Sequence, residues 1–346
     1  MFTLPYSMYE PSISECLTRE INAHISATTV QPIPYTETEN GQPVHSSTGN
    51  EVLDYFIMAI RGVEEYKIMS LFVKAYQANP RQTLAVLMHL RDVRDGKGER
   101  DAARYCLLWL RQHHYVVYLK NLETMLDLGY FKDLLQLVKA LVQKGIKVDK
   151  TNIELRLMAS YITADYRRFV DQTDDGQHKA VLSLAAKWAP SLKSHFDRKE
   201  NGHQAQLLSK IMYPDSITPQ KDYRLTLSKL REELRVVERL MSQNRWDKID
   251  FDAVPATAHH LLRAAFSKHQ VDRYKSYIDG IKICTEKVNV TGTQPNVLVK
   301  NYINYFDAKR DPLIEAQWQT MIHELLSTGI FNKSLAVVDV SDSMYG

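Results

Sequence analysis

Cysteine is scarce: Cys16, Cys106 and Cys284 are the only three in 346 residues, too far apart for a C-x-x-C pair or a disulfide framework. That usage fits a reducing compartment and predicts a cytoplasmic protein. No apolar run approaches the roughly 18 residues of a membrane span, and the first residues lack the basic and apolar blocks of a secretory signal, so no membrane partner is expected. Charge of one sign is also lacking. Lys plus Arg number 44 against 41 Asp plus Glu, a net charge of +3. A nucleic-acid footprint, if present, must therefore come from local clustering, and nothing evident prefers DNA. Catalytic signatures are missing as well. There is no H-E-x-x-H, no G-x-S-x-G and no P-loop, because Gly96-Lys97-Gly98 lacks the P-loop spacing. The chain is expected to bind rather than catalyse.

What is present is amphipathic helix. Residues 1–48, rich in Ser, Thr and Pro, are expected to be a disordered arm with one short helix near Glu15 to Ile25. Order is expected from Thr48-Gly49-Asn50, with Asn50 capping a helix that carries Leu53, Phe56, Ile57, Ile60 and Val63. Helices are then predicted over Ile68 to Tyr76, Gln82 to Leu90, Arg100 to Gln112, Leu119 to Leu126, Lys132 to Gln143, Asn152 to Tyr166 and Leu182 to Trp188. The strongest 3,4 periodicity spans Asp222 to Trp246, read as one core helix. Pro312 marks a break before a last helix, Glu315 to Leu326, that Gly329 ends. Long helices with short breaks predict a mainly α fold of stacked helical pairs over residues 49–330, although no strict sequence period is visible.

Two clusters carry candidate chemistry. The run from Leu90 to Asp101 interleaves Arg91, Arg94, Lys97 and Arg100 with four acids. It reads first as a helix–turn–helix corner braced by ion pairs. The alternative is a small cationic patch for nucleic-acid phosphates. The adjacent pairs His113-His114 and His259-His260 point about 100° apart on a helix and cannot chelate one metal, so these are read as surface or cap residues. Tyrosines beside bases, among them Tyr118, Tyr223, Tyr274 and Tyr277, can stack bases but are more simply core-edge residues. The second cluster follows Leu335 to Val338, an apolar strand pattern: Asp339, Ser341 and Ser343 in a D-x-S-x-S arrangement. Hard oxygen donors on a loop at a strand's carboxyl end suit Mg²⁺.

That last motif resembles the metal-ion-dependent adhesion site (MIDAS) of von Willebrand factor A (vWA) domains, with Asp342 where the pattern commonly has Gly. The resemblance implies that residues 331–346 open a vWA domain that they do not complete. Later loops of such domains supply a Thr and an Asp, so Mg²⁺ is expected only where the domain is completed. Further runs, Leu90 to Arg100, Leu128 to Leu135, Ser183 to Ser191, Trp246 to Pro255 and Glu315 to Trp318, are similar to an uncharacterised family joining a long helical module to a C-terminal vWA domain. That family is in turn similar to the TROVE module of Ro-type ribonucleoproteins, HEAT-like helical pairs in a ring that binds small or misfolded RNA. The implied function is RNA binding by the helical module. A protein–protein scaffold that uses the solenoid and the vWA/MIDAS site is the alternative, and a non-functional truncated product is a third.

Overall fold

The computed structural model describes residues 35–37, 41, 43–171, 181–283, 286, 288–290, 293–304 and 311–329. The chain divides into two compact units, residues 1–86 and 87–346. The short helix expected near Glu15 to Ile25 and the MIDAS-like residues Asp339, Ser341 and Ser343 lie outside the described residues.

In the first unit, β1 (Tyr35–Glu37) pairs antiparallel with β2 (Pro43–His45), Thr36 opposite Val44. Asn50 caps α1 (Glu51–Met58) as the sequence predicts: its Oδ1 accepts from the amides of Val52 at 3.0 Å and Leu53 at 3.1 Å. The approach to α1 is knotted onto Asp54, whose carboxylate accepts from the Ser47 hydroxyl and from both the amide and the hydroxyl of Thr48. The buried face of α1 is not the one its periodicity suggests. Tyr55 is fully buried, with Ala59 at the helix end, while Phe56, Ile57 and Met58 are exposed. Tyr55 meets Phe72 of α2 (Glu65–Ala78) edge-on at 5.4 Å. Asn79 then caps α3 (Pro80–Arg91), which carries the chain across the boundary between the units.

Among its described residues the second unit holds helices joined by turns and loops, and no strand. It comprises α4 (Asp101–His113), α5 (Tyr115–Leu128), α6 (Lys132–Gln143), α7 (Ile153–Val170), the single turn α8 (Ala185–Trp188), α9 (Gln204–Met212), α10 (Pro219–Glu233), α11 (Val237–Ser242), α12 (Ala256–His269), α13 (Val271–Lys282), α14 (Pro295–Asn304) and α15 (Pro312–Ser327). Packing reaches beyond neighbours in sequence: α4 touches α6, α7 touches both α9 and α10, and α13 touches α15. Leu110, Leu134, Leu135, Val138, Leu155, Met158, Ile162 and Leu208 are buried on the facing sides of α4, α6, α7 and α9. Each such side chain is worth about 1.5–3 kcal/mol relative to exposure. A second cluster joins Trp246, Ile249, Phe251 and Val254 to Phe266, Tyr274, Tyr277 and Ile281.

Three further expectations are corrected. The single helix read over Asp222 to Trp246 is two, because Arg235 takes a left-handed φ of 47°. The Val236 amide then reaches back to the Arg231 carbonyl at 3.3 Å and the Arg235 amide to that of Glu232 at 3.0 Å. These are the paired bonds of a Schellman stop. Pro312 is not a break before the last helix but its first residue, where its missing N–H costs nothing, and Asp311 caps that end. His259 is a buried core residue, not a surface or cap one.

Among the described residues no helix is long and apolar enough to cross a membrane.

Candidate functional site

The corner between α3 and α4 is built from backbone. The amides of Lys97 and Glu99 fold back onto the carbonyls of His89 and Leu90, and the Val93 amide reaches the Leu128 carbonyl at the end of α5. Gly96 is obligatory, since a Cβ there would lie 2.0 Å from the His89 carbonyl oxygen. Arg91, at the end of α3, is 1% exposed and donates from Nε and Nη2 to one oxygen of Asp133 in the first turn of α6. The same oxygen accepts from the Tyr130 amide at 2.9 Å. The guanidinium also lies over the Tyr130 ring, 5.4 Å from its centre. The pair passes so close to Gly129 that a Cβ there would meet Asp133 Oδ2 at 2.5 Å. Two of the runs read as signature segments, Leu90 to Arg100 and Leu128 to Leu135, are thus parts of one joint.

That joint forms the wall of a cavity of about 1160 Å³. Eight basic side chains line it: Arg91, Arg94, Arg100, Arg104, Lys132, Lys187, Arg231 and Arg239. Three acids do: Asp101, Asp133 and Glu238. Asp133 is consumed by Arg91, and Asp101 pairs with Arg104 at 2.8 Å. The cavity therefore carries five more cations than anions, although the whole chain is only +3. Clustering in a concave wall concentrates positive potential where balanced composition conceals it.

Aromatic rings sit among these charges. Trp188, at the end of α8, is half-buried and lies 5.6 Å from Tyr130. The ammonium groups of Lys132 and Lys187 stand over the indole at 5.8 and 5.7 Å. Arg231 binds the turn that carries Trp188, through the carbonyls of Ala186 at 2.8 Å and Ala189 at 2.6 Å. Burial pulls the Arg231 pKa down, and the neighbouring charge of Arg239 pulls the same way. Among the described residues no carboxylate pairs with either.

Of the four basic residues singled out in the sequence, Arg91, Arg94 and Arg100 line the cavity and Lys97 does not. Arg91 is bound to a carboxylate, whereas Arg94 donates to the Asp127 carbonyl at 2.6 Å. Burial lowers the pKa of Lys97. Arg104, Lys132, Lys187, Arg231 and Arg239 were not singled out, because the folding that brings α4, α6, α8, α10 and α11 together is not local. In the sequence Trp188 stands out only within the run Ser183 to Ser191. Several tyrosines noted beside bases prove to be core: Tyr118 and Tyr223 are fully buried, Tyr274 and Tyr277 nearly so. Among the described residues no group of three His, Cys, Asp or Glu is placed to hold a metal ion.

The family model described as Domain of unknown function (DUF2828) matches residues 38–158 and 153–331. Uncharacterized protein L728 of Acanthamoeba polyphaga mimivirus is 31% identical over 337 residues, covering 89% of this chain. The chain spans 56% of that relative's length. No solved structure matches it.

Proposed function

From the premise that the chain belongs to the family described as Domain of unknown function (DUF2828), we propose that its helical module is a non-catalytic RNA-binding module whose ligand enters the basic cavity of the second unit. One observation carries this reading: five excess positive charges converge on a single concavity that also holds Trp188 and Tyr130. Phosphates supply the charge such a wall needs, and unpaired bases supply faces for the rings. An acidic protein segment would satisfy the charge, whereas a single-stranded nucleic acid also carries a flat ring beside each phosphate.

Within the same proposal the helices form a TROVE-like array of HEAT-like pairs, as the sequence resemblance implies. Residues 331–346 open a vWA domain there, and Asp339, Ser341 and Ser343 hold Mg²⁺ only where that domain is complete. The second reading, a protein–protein scaffold, is favoured by one observation in the other unit: Phe56, Ile57, Met58 and Ile60 expose 36–50% of their surface within five residues.

The test is a fluorescence-anisotropy titration of the full chain with a structured RNA bearing a single-stranded tail, at low and at physiological salt. If five phosphates of a single strand are neutralised, the logarithm of affinity falls with that of salt at a slope of about −3.5. Absence of binding even at low salt removes the RNA reading and leaves the scaffold.

A further inference from the structure

Arg231 and Arg239 form an unusual pair. Arg231 reaches the pair already clasped: Nε and Nη2 hold the Ala186 and Ala189 carbonyls, and Nη1 donates to the Ser191 hydroxyl at 3.1 Å. A guanidinium has five N–H groups, so two remain after these three bonds. Arg239 donates from Nη2 to the Ser228 hydroxyl at 2.7 Å, and its buried Nε has no partner among the described residues. Both guanidinium groups line the same cavity, the charge of Arg239 adds to the lowering of the Arg231 pKa, and no described carboxylate pairs with either. Like charges brought together without a counter-charge destabilise the fold. An anion bridging them removes that cost, and a phosphate group matches the planar fork of arginine.

The placement of Trp188 says what the anion belongs to. The carbonyls that Arg231 clasps come from the residue after Trp188 and from two residues before it, so the guanidinium is tied to the turn that carries the indole. The two ammonium groups over that ring are on long flexible stems, and Lys132 is exposed. A flat ring can take their place on the indole while they turn to neighbouring phosphates. Resting on the RNA-binding reading, we infer that this corner of the cavity is a nucleotide subsite: a base stacks on Trp188 and the phosphate attached to it lies between Arg231 and Arg239. The ligand class is then single-stranded RNA read through base faces and backbone, not a polyanion held by charge alone.

The test compares, by anisotropy on the full chain, a labelled single strand of about 12 nucleotides with an abasic strand of equal length and equal phosphate count. The intact strand is expected to bind about tenfold tighter, the increment one stacked base supplies. Trp188→Leu should bring the intact strand down to the abasic level, and Trp188→Phe should keep most of the difference. Arg239→Gln should weaken both strands by a similar factor without lowering the thermal transition, because it removes one of two like charges and Arg239 carries none of the bonds that hold α8. Equal binding of intact and abasic strands, or an unaltered difference in Trp188→Leu, overturns the subsite while RNA binding itself stands. Should Trp188→Leu fail to fold, the abasic comparison on the native chain and on Trp188→Phe still decides. Failure of both strands to bind at low salt removes the RNA reading and the subsite together.

Discussion

Arg91 gives two nitrogens to a single oxygen of Asp133, Nε at 2.9 Å and Nη2 at 2.7 Å, joining the end of α3 to the start of α6. The guanidinium is 1% exposed, and its remaining nitrogen, Nη1, is buried with no partner among the described residues. Among the described residues, this buried positive charge is compensated by one carboxylate and one aromatic ring. Asp133→Asn keeps the shape and removes the charge. Taking one partner from a buried pair costs about 3–5 kcal/mol, because the other is left uncompensated. The urea-unfolding midpoint should fall accordingly, with an unchanged slope. A loss below about 1 kcal/mol would mean that the pair behaves as a surface bridge.

Glu154 presents a second buried charge with little margin. It is fully buried at the start of α7, and one oxygen accepts from Arg111 Nε and from the Tyr118 hydroxyl, each at 2.6 Å. Its other oxygen has no partner among the described residues. Tyr118→Phe removes one of the two donors and nothing else of substance. Hydrogen bonds to charged groups are worth about 1.5–3 kcal/mol, so that much stability should be lost on chemical denaturation. A neutral outcome would show that water or a rearranged Arg111 takes over the role.

How much of this was legible depended on whether the signal was local. The helix Lys132–Gln143 is where its periodicity places it, and the Asn50 cap is where the residue type places it. Helix stops divide by residue. Gly145, Asn244 and Arg235 all occupy the left-handed position of the same stop motif, with φ of 76°, 57° and 47°. Glycine announces the motif because it alone reaches that region without steric cost. Arginine does not, so the break after α10 was invisible and α10 and α11 read as one helix. The cavity was the least legible feature. Its cations come from α3, α4 and the corner between them, and from α6, α8, α10 and α11, and nothing in a chain of balanced charge says that Lys187 and Arg239 face one space. Gly129 could be read as a break but not as the gap through which the Arg91–Asp133 pair passes.

His259 makes stability depend on mild acid. Burial, aided by the neighbouring charges of His260 and Arg263 and opposed by Asp311, lowers its pKa to about 4 from an ordinary 6.5. It is 2% exposed, and its ring stacks on Tyr277 at 5.5 Å in a nest that includes Phe251, Phe266 and Tyr274. Below pH 6.5 the unfolded chain takes up a proton that the folded chain refuses, so stability falls as pH drops and the loss is complete near pH 4. The displacement corresponds to roughly 3 kcal/mol. His259→Phe fits the aromatic nest and leaves the unpartnered Nε2 behind, so it should flatten the pH dependence of the unfolding free energy between pH 6.5 and 4. An equally steep acid limb in that variant would place the proton uptake elsewhere.

Arg100 and Lys97 separate the cavity from the sequence cluster that first drew attention to it. Both belong to the same basic run, and by sequence alone they are equivalent candidates for phosphate contact. In the fold Arg100 stands exposed at the start of α4 on the cavity wall, with no carboxylate among the described residues paired to it. Lys97 is half-buried away from that wall. If RNA enters the cavity, Arg100→Ala removes one neutralised phosphate and should reduce the magnitude of the salt slope by about 0.7, weakening all sequences alike. Lys97→Ala should leave the slope unchanged. Measured by anisotropy across a salt series, the opposite ranking would put the RNA on the outer face of the α3–α4 corner. Equal and null effects, with binding retained, would remove the α4 side of the cavity from the contact surface.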